Sequence, residues 1–327
     1  MTVPLTPRGR ALLREAKGAL KASLPSAAWR RLRQTLAAPP RTIGLEALDE
    51  ELARADAALF RSNDEGLAVL RSFQLAPQKS MPADPWSPEY RAAQLELYQR
   101  VSGRSSYSVE YERSGIDVDV ANYELYPYVT RSTTEVGDQL IAIGYLIKHL
   151  GLAPRAEVVE LGAGWGNTTC ALAHMGFRVT AVDVDPAFLE LIRRRVAAFD
   201  GKVTLVNADM LAFRPKQTFD GALFYESFHH CSDPLAMLAR LQELVRPGGR
   251  LIFASEPIDD FAMPWGIRLD GQSLWSMRRH GWLELGFETS WFFEALRRTG
   301  WVGRRHRSHA ISALTDVIVA ERPARRR

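Results

Sequence analysis

A chain of 327 residues that is 46% hydrophobic, 24% charged and 9% aromatic can bury a substantial core. Its longest apolar stretch, Leu140 to Ile147, is eight residues, far short of the roughly 20 that span a bilayer, and the N-terminus shows neither a signal-peptide apolar region nor a cleavage site. Two cysteines, Cys170 and Cys231, without a C-x-x-C pair speak against a disulfide framework and a cysteine-built zinc site, so the expectation is a protein of the reducing cytoplasm.

The net charge of +4 is unevenly spread. Residues 1 to 41 hold nine Arg or Lys against Glu15 alone, and residues 42 to 66 hold seven acids against Arg54 and Arg61. Residues 1–76 read as a helical basic and then acidic region. Leu13, Ala16, Leu20 and Leu24 recur at helical spacing, as do Trp29, Leu32 and Leu36, with Pro25 between the two runs. Such basic helices suit either an anionic membrane surface or packing on this chain or a second copy of it. Beyond Pro39-Pro40 a further helix is expected from about Leu45 to Phe60.

Residues 77–133 form a linker and a tyrosine-rich segment. Four prolines lie between Pro77 and Pro88, a helix is expected over Glu89 to Val101, and Ser102 to Thr134 is crowded with tyrosines (Tyr107, Tyr111, Tyr123, Tyr126, Tyr128) without a clean period. That pattern predicts an irregular segment serving as a lid or pocket wall, or tyrosines packed on a core. The helix Glu135 to Leu150 follows, ended by Gly151 and Pro154.

From residue 156 strands and helices alternate. Strands are predicted at Ala156–Leu161, Arg178–Asp183, Lys202–Val206, Phe219–Tyr225 and Arg250–Ser255, with helices at Asn167–Met175, Pro186–Phe199 and Asp233–Val245, and a turn at Arg246-Pro247-Gly248-Gly249. Trp291 to Thr299 is expected as a helix, and Trp301–Ser308 and Leu314–Ala320 as two closing strands. Strands joined by helices predict an α/β fold with right-handed crossovers, a doubly wound and mostly parallel sheet with helices on both faces. Residues 134–322 form this domain, 256–288 are an insertion after its fifth strand, and 323–327 are a basic tail.

The strand Val158-Val159-Glu160 runs into Leu161-Gly162-Ala163-Gly164-Trp165-Gly166 and then a helix. Glycines at such a bend let the chain turn tightly and let a ligand approach the backbone, which marks a nucleotide site. A dinucleotide fingerprint would place its third glycine where this chain has Asn167, and no G-x-x-x-x-G-K-[ST] loop is present, so a dehydrogenase and a P-loop protein are the weakest readings. Asp183 and Asp209 end the second and third strands, where open α/β sheets bind ligands, and a carboxylate there can accept ribose hydroxyls. Asp185 suits the helix cap before Pro186, and Asn167 with Thr168 suit the cap of the preceding helix.

The run E-x-G-x-G-x-G at Glu160 to Gly166 resembles motif I of the class I S-adenosylmethionine-dependent methyltransferases. Asp183 in Val182-Asp183-Val184, Asp209 in Ala208-Asp209-Met210, Phe219-Asp220-Gly221, Phe228-His229-His230-Cys231-Ser232-Asp233-Pro234 and Arg246-Pro247-Gly248-Gly249 match that family's later motifs in order, over about residues 134 to 255. The resemblance implies a Rossmann-like seven-stranded sheet and S-adenosylmethionine as cofactor, held by Glu160, Gly162, Ala163, Gly164, Gly166, Asp183, Val184, Asp209, Met210 and Tyr225. In it Asp183 takes both ribose hydroxyls and Asp209 the adenine amino group. Glu160 either holds the ammonium of the methionine part or makes a structural hydrogen bond to the loop amides, Asp209 also suits the cap of a short helix, and Trp165 is placed at the pocket floor or behind the loop.

Methyl transfer is an in-line displacement, so the protein aligns donor and acceptor and removes a proton if the acceptor is a hydroxyl. The loop after the fourth strand offers Glu226, His229 and His230 as catalytic candidates, a histidine being the best-matched base. One loop supplies at most three ligands and no second carboxylate cluster is evident, so no metal is expected. Acceptor contacts are expected from Tyr126 and Tyr128 and from Trp265, Arg268, Asp270 and Gln272 of the insertion, where rings interleaved with planar hydrogen-bonding groups suit a sugar. The insertion and the Tyr-Pro-Tyr segment are loosely similar to methyltransferases of bacterial cell-surface polysaccharide synthesis, which implies O-methylation of a glycan and gives the N-terminal helices a reason to touch a membrane. An RNA or natural-product methyltransferase and a non-catalytic nucleoside-binding scaffold are the alternatives. A nucleic acid partner is disfavoured because no N-P-P-[YF]-type tetrad or RNA-binding module is present.

Overall fold

The computed structural model describes residues 39–78, 81–123, 133–197, 202–308 and 316–322. The expected helices of residues 1–38, Tyr126, Tyr128 and the basic tail lie outside the described residues.

Seven strands make the central sheet: β3 (Glu157–Leu161), β4 (Arg178–Asp183), β5 (Val203–Asn207), β6 (Phe219–Tyr225), β7 (Val245–Ala254), β11 (Val302–His306) and β12 (Val317–Glu321), in the order β11-β12-β7-β6-β3-β4-β5. Every pair from β7 to β5 is parallel, and β12 runs antiparallel to both of its neighbours. The doubly wound, mostly parallel α/β fold is therefore as expected. The order of connections reverses between β3 and β6, with β4 and β5 added on one side and β7 on the other, which opens a crevice at the carboxyl ends of β3 and β6.

Side chains alternate between two cores, as the pleat requires. Leu251 and Phe253 of β7 join Val159, Ala222 and Phe224 on one face, under helix α8 (Pro234–Leu244) and helix α10 (Thr289–Arg298). Ile252 and Ala254 join Val158, Leu223 and Val317 on the other, under α5 (Thr133–Leu150) and α6 (Asn167–His174). Helix α7 (Pro186–Val196) covers β4 and β5.

Asp-Pro pairs set two helix starts. Asp185 accepts from the Ala187 amide before α7 and Asp233 from the Ala236 amide before α8, with proline at N1 each time. Two local expectations are corrected. The N-cap of α6 is Gly166, at φ +73°, and Asn167 instead accepts from the Arg195 guanidinium. Arg246-Pro247-Gly248-Gly249 is an irregularity inside β7, because pairing with β6 begins at Val245, slips, and resumes at Arg250.

The first described elements are β1 (Arg41–Ile43), α1 (Leu48–Arg61), α2 (Asn63–Leu70), β2 (Phe73–Leu75) and α3 (Pro88–Ser102). They pack on the insertion, which folds into β8 (Ile258–Asp259), β9 (Trp265–Ile267), α9 (Gly271–Arg279) and β10 (Leu285–Glu288), with β10 central in a three-stranded sheet. Leu48, Leu52, Phe73, Leu97, Leu274, Met277 and Phe287 share one core with the central sheet. Residues 103–123, the described part of the stretch after α3, are mostly irregular and carry a 3-10 turn at Val109–Glu112 and the short helix α4 (Val118–Tyr123). No described helix is long and apolar enough to cross a membrane.

Candidate functional site

The loop between β3 and α6 is held open by three glycines at positive φ, Gly162 (76°), Gly164 (49°) and Gly166 (73°). A Cβ at Gly162 would lie 2.6 Å from Ser227 Cβ and one at Gly166 2.2 Å from Ile192 Cγ1, whereas the space beside Gly164 is open. Asp183 fixes the loop: its Oδ2 accepts from the Gly164 amide at 2.7 Å and its Oδ1 from the Asp185 amide at 2.8 Å. Burial pushes this carboxyl up to about 6 against those two donors. Each oxygen keeps a second lone pair for a ligand hydroxyl.

A cavity of about 460 Å³ lies over this loop. Its wall includes Gly162, Ala163, Gly164, Gly166, Asp183, Val184, Asp209, Met210 and Tyr225, nine of the ten residues anticipated for the cofactor. Asp209 also accepts from the Leu211 amide at 3.1 Å, so it caps a turn while facing the cavity. Trp165 and Phe188 stand on the wall beside the loop. Glu160 is the exception, with a side chain that turns into the protein to accept from the Thr169 hydroxyl. Burial raises its carboxyl to about 8, and the structural hydrogen bond it makes is to a helix hydroxyl, Thr169, and not to the loop amides.

Glu226, His229 and His230 also line the cavity. Glu226 at φ +50° and Ser255 at φ +57° end the neighbouring strands β6 and β7 in left-handed conformations, which non-glycine residues seldom adopt. Between them Glu256 holds the loop. Its Oε1 accepts from the amides of Ser227 and Phe228, each at 2.8 Å, and its Oε2 accepts from the His229 amide at 3.2 Å and faces His229 Nδ1 at 2.8 Å. Burial opposes ionisation of Glu256, but the neighbouring His229 ring and these backbone donors hold the carboxyl below its ordinary range.

His230 Nδ1 lies 3.2 Å from Glu112 Oε2, an ion-pair distance at an angle off a hydrogen bond. Burial alone would lower the His230 pKa, yet Glu112 beside it, then Glu284 and Glu256, raise it to about 9. Glu112 Oε1 accepts from the Leu283 amide at 2.9 Å, which ties the 3-10 turn of residues 109–112 to the insertion. Tyr107 of the same segment reaches the wall, and burial, then Glu112, push its phenol pKa up.

The insertion contributes Arg268, Trp282 and Glu284 to the wall. Trp265, Asp270 and Gln272 are placed elsewhere. Trp265 is 2% exposed, donates to the Pro85 carbonyl at 2.9 Å and packs against Tyr90 and Trp291. Asp270 caps α9 through the Ser273 amide, and Gln272 is exposed on that helix. His229, His230 and Glu284 bring ring nitrogens and a carboxylate oxygen within 4.8 Å of one another, a donor set of the kind a divalent cation takes. The Arg268 guanidinium, 3.6 Å from Glu284 Oε2, already supplies that carboxylate with positive charge.

Sequence reasoning missed Glu112, Phe188, Glu256 and Glu284. Glu256 follows β7 directly, so the rule that singled out carboxylates at other strand ends applies to it equally. Glu284 stands in Trp282-Leu283-Glu284-Leu285, an acid in an apolar run, where burial is the signal. Glu112 has no local signature, since a fold contact brings it to His230.

Residues 158–249 match a family model described as a methyltransferase domain. The chain is 34% identical over 106 residues to demethylmenaquinone methyltransferase of Tropheryma whipplei, covering 32% of this chain and 44% of that protein. It is 28% identical over 117 residues to a ubiquinone biosynthesis O-methyltransferase of Xanthomonas campestris pv. campestris, covering 35% and 48%. It thus spans slightly under half the length of these relatives. Among solved structures it is similar to the 1,6-didemethyltoxoflavin-N1-methyltransferase of Burkholderia thailandensis (TM-score 0.45, 22% identity, 76% of this chain and 95% of that one). It is also similar to DhpI in complex with S-adenosylhomocysteine (TM-score 0.47, 18% identity, 67% and 98%).

Proposed function

We propose that this chain is an S-adenosylmethionine-dependent methyltransferase acting on a hydroxyl of a small, polyhydroxylated acceptor, a sugar or glycan unit. One observation carries the reading: the glycine loop with Asp183 and Asp209 shares a single cavity with Glu226, His229 and His230. The methyltransferase-domain match over residues 158–249 supports the chemistry.

The residues present fit the cofactor. Asp183 has lone pairs left for ribose hydroxyls, Val184, Met210 and Phe188 offer apolar walls for a base, and the open space at Gly164 admits close approach to the backbone. When bound, the sulfonium supplies a methyl carbon open to in-line displacement. The chain's own part is to orient the acceptor oxygen, exclude water and take up its proton near His229 and His230. Glu226, Glu112 beside His230 and Glu284 beside Arg268 give the acceptor half carboxylates whose charge is largely balanced, and Trp282 a ring face. Carboxylates that accept hydroxyls beside an aromatic platform favour a neutral polyol over an anionic acceptor. The match to ubiquinone biosynthesis O-methyltransferases favours a second reading, a phenolic hydroxyl against the same Trp282 and Tyr107.

Calorimetric titration with S-adenosylmethionine and, separately, NADH tests the cofactor. Binding of the first alone is expected; binding of NADH alone, or of neither, overturns the reading. Radiolabelled methyl uptake by nucleotide sugars and glycolipids against catechols then separates the two acceptor classes.

A further inference from the structure

The two adjacent histidines have different surroundings. His229 faces Glu256, whose carboxylate is met by three backbone amides besides the ring nitrogen, and its side chain is 10% exposed against 1% for Glu256. His229 Nε2 is 3.9 Å from Glu284 Oε2, and both residues line the cavity. His230 faces Glu112, which is anchored to the insertion backbone.

We propose that the pair divides its labour: His229, oriented by Glu256 with Nδ1 as donor and Nε2 toward the cavity, takes the acceptor's proton, while His230, paired with Glu112, is a fixed cation that positions the wall. This inference rests on the methyltransferase reading. A carboxylate that already accepts three amides cannot rotate, so the Nδ1 proton has one place to go and Nε2 is left as the lone-pair nitrogen. Glu256 does not line the cavity; it is a positioning residue, as the third member of a nucleophile, base and orienter chain is. The groups around His229 are Glu256 after β7, Glu284 and Arg268 of the insertion, His230 of its own turn, and Glu112 beyond His230. The raised pKa of His230 agrees with its role as a cation.

In the step itself the acceptor O–H bond breaks toward Nε2 as the oxygen closes on the methyl carbon. The electron pair of the broken carbon–sulfur bond stays on the donor's sulfur. The imidazolium formed is paired with Glu256 and returns its proton to water.

The tautomers are read directly by long-range nitrogen–proton correlation on the full chain labelled with ¹⁵N-histidine at pH 7.5, its seven histidines assigned with His229→Gln and His230→Gln. The expected result is Nδ1–H with a bare Nε2 at His229 and two protonated nitrogens at His230. An Nε2–H tautomer at His229, or a neutral His230, overturns the proposal. Glu256→Gln should disturb the His229 signature and lower turnover at least about tenfold, with partial rescue by Glu256→Asp and an unchanged Kd for S-adenosylmethionine. His229→Gln should lower turnover about a hundredfold or more. A Glu256→Gln protein that keeps both the tautomer and full turnover shows the clamp to be structural only and sinks the assignment. Failure of the wild-type protein to bind S-adenosylmethionine removes the underlying reading instead, so the two failures are distinguishable.

Discussion

At the scale of single residues, the buried acids differ in what they hold. Glu160 accepts from Thr169 and, raised to about 8 by burial, is protonated at neutral pH. A carboxyl whose folded pKa is raised gives stability that is full below its ordinary value and lost as the pH climbs through the folded one. Glutamine imitates the protonated acid, so Glu160→Gln should raise the melting midpoint at pH 8 relative to wild type and leave S-adenosylmethionine affinity unchanged; a large loss of affinity would return Glu160 to the cofactor. His230 follows the same sign for a base. Its pKa rises from 6.5 to about 9 through Glu112, despite burial, so its contribution is full below pH 6.5 and lost toward pH 9. The shift corresponds to roughly 3 kcal/mol. Chemical denaturation between pH 6.5 and 9 should show that decline in wild type and a flatter profile in Glu112→Gln.

At the scale of elements, the two outer glycines of the loop and the middle one do different jobs. At Gly166 a side chain meets Ile192 and must hold φ +73°, so Gly166→Ala should cost about 3 kcal/mol in urea unfolding, from strain and overpacking together. At Gly164 the same methyl enters open space, so Gly164→Ala should cost only about 1 kcal/mol yet weaken S-adenosylmethionine binding, read by calorimetry. These elements were largely legible in the sequence. Strands Arg178–Asp183 and Phe219–Tyr225 stand at their predicted limits because each apolar run ends at an acid, Asp183 in the first and Glu226 just beyond the second, and the Asp-Pro caps announce α7 and α8. What was not legible depends on partners far along the chain. Trp265 reads as a ligand platform beside Arg268 and Asp270, but Pro85 and Tyr90 claim it for the core. Glu112 becomes a site residue only because Leu283 and His230 come to meet it.

At the scale of the whole molecule, the cavity is made by three layers: the sheet edge, the irregular segment carrying Tyr107 and Glu112, and the insertion carrying Arg268, Trp282 and Glu284. The insertion is in turn fastened to the N-terminal elements. Trp275 donates to Asp56 at 2.7 Å, Leu75 donates its amide to the Leu269 carbonyl at 2.8 Å, and Tyr98 donates its hydroxyl to the Gly281 carbonyl at 2.5 Å. Residues 134–322 alone would leave Ile267, Leu274, Met277 and Leu285 without the Leu52, Phe73 and Leu97 side of their common core. Each large side chain so uncovered forfeits about 2 kcal/mol. That fragment should therefore aggregate or expose dye-binding apolar surface, whereas the full chain should not; light scattering and dye fluorescence decide it.

The left-handed backbones of Glu226 and Ser255 bear on how such a protein could evolve. Selection for heat resistance alone would favour glycine at both strand ends, because glycine holds those angles without strain. The same exchange would free the hinge that aims Glu226 at the cavity and sets the first turn of the chain toward Glu256. Gains in heat resistance that keep the site would therefore come from caps, surface charges and loop lengths, and these two positions stay costly.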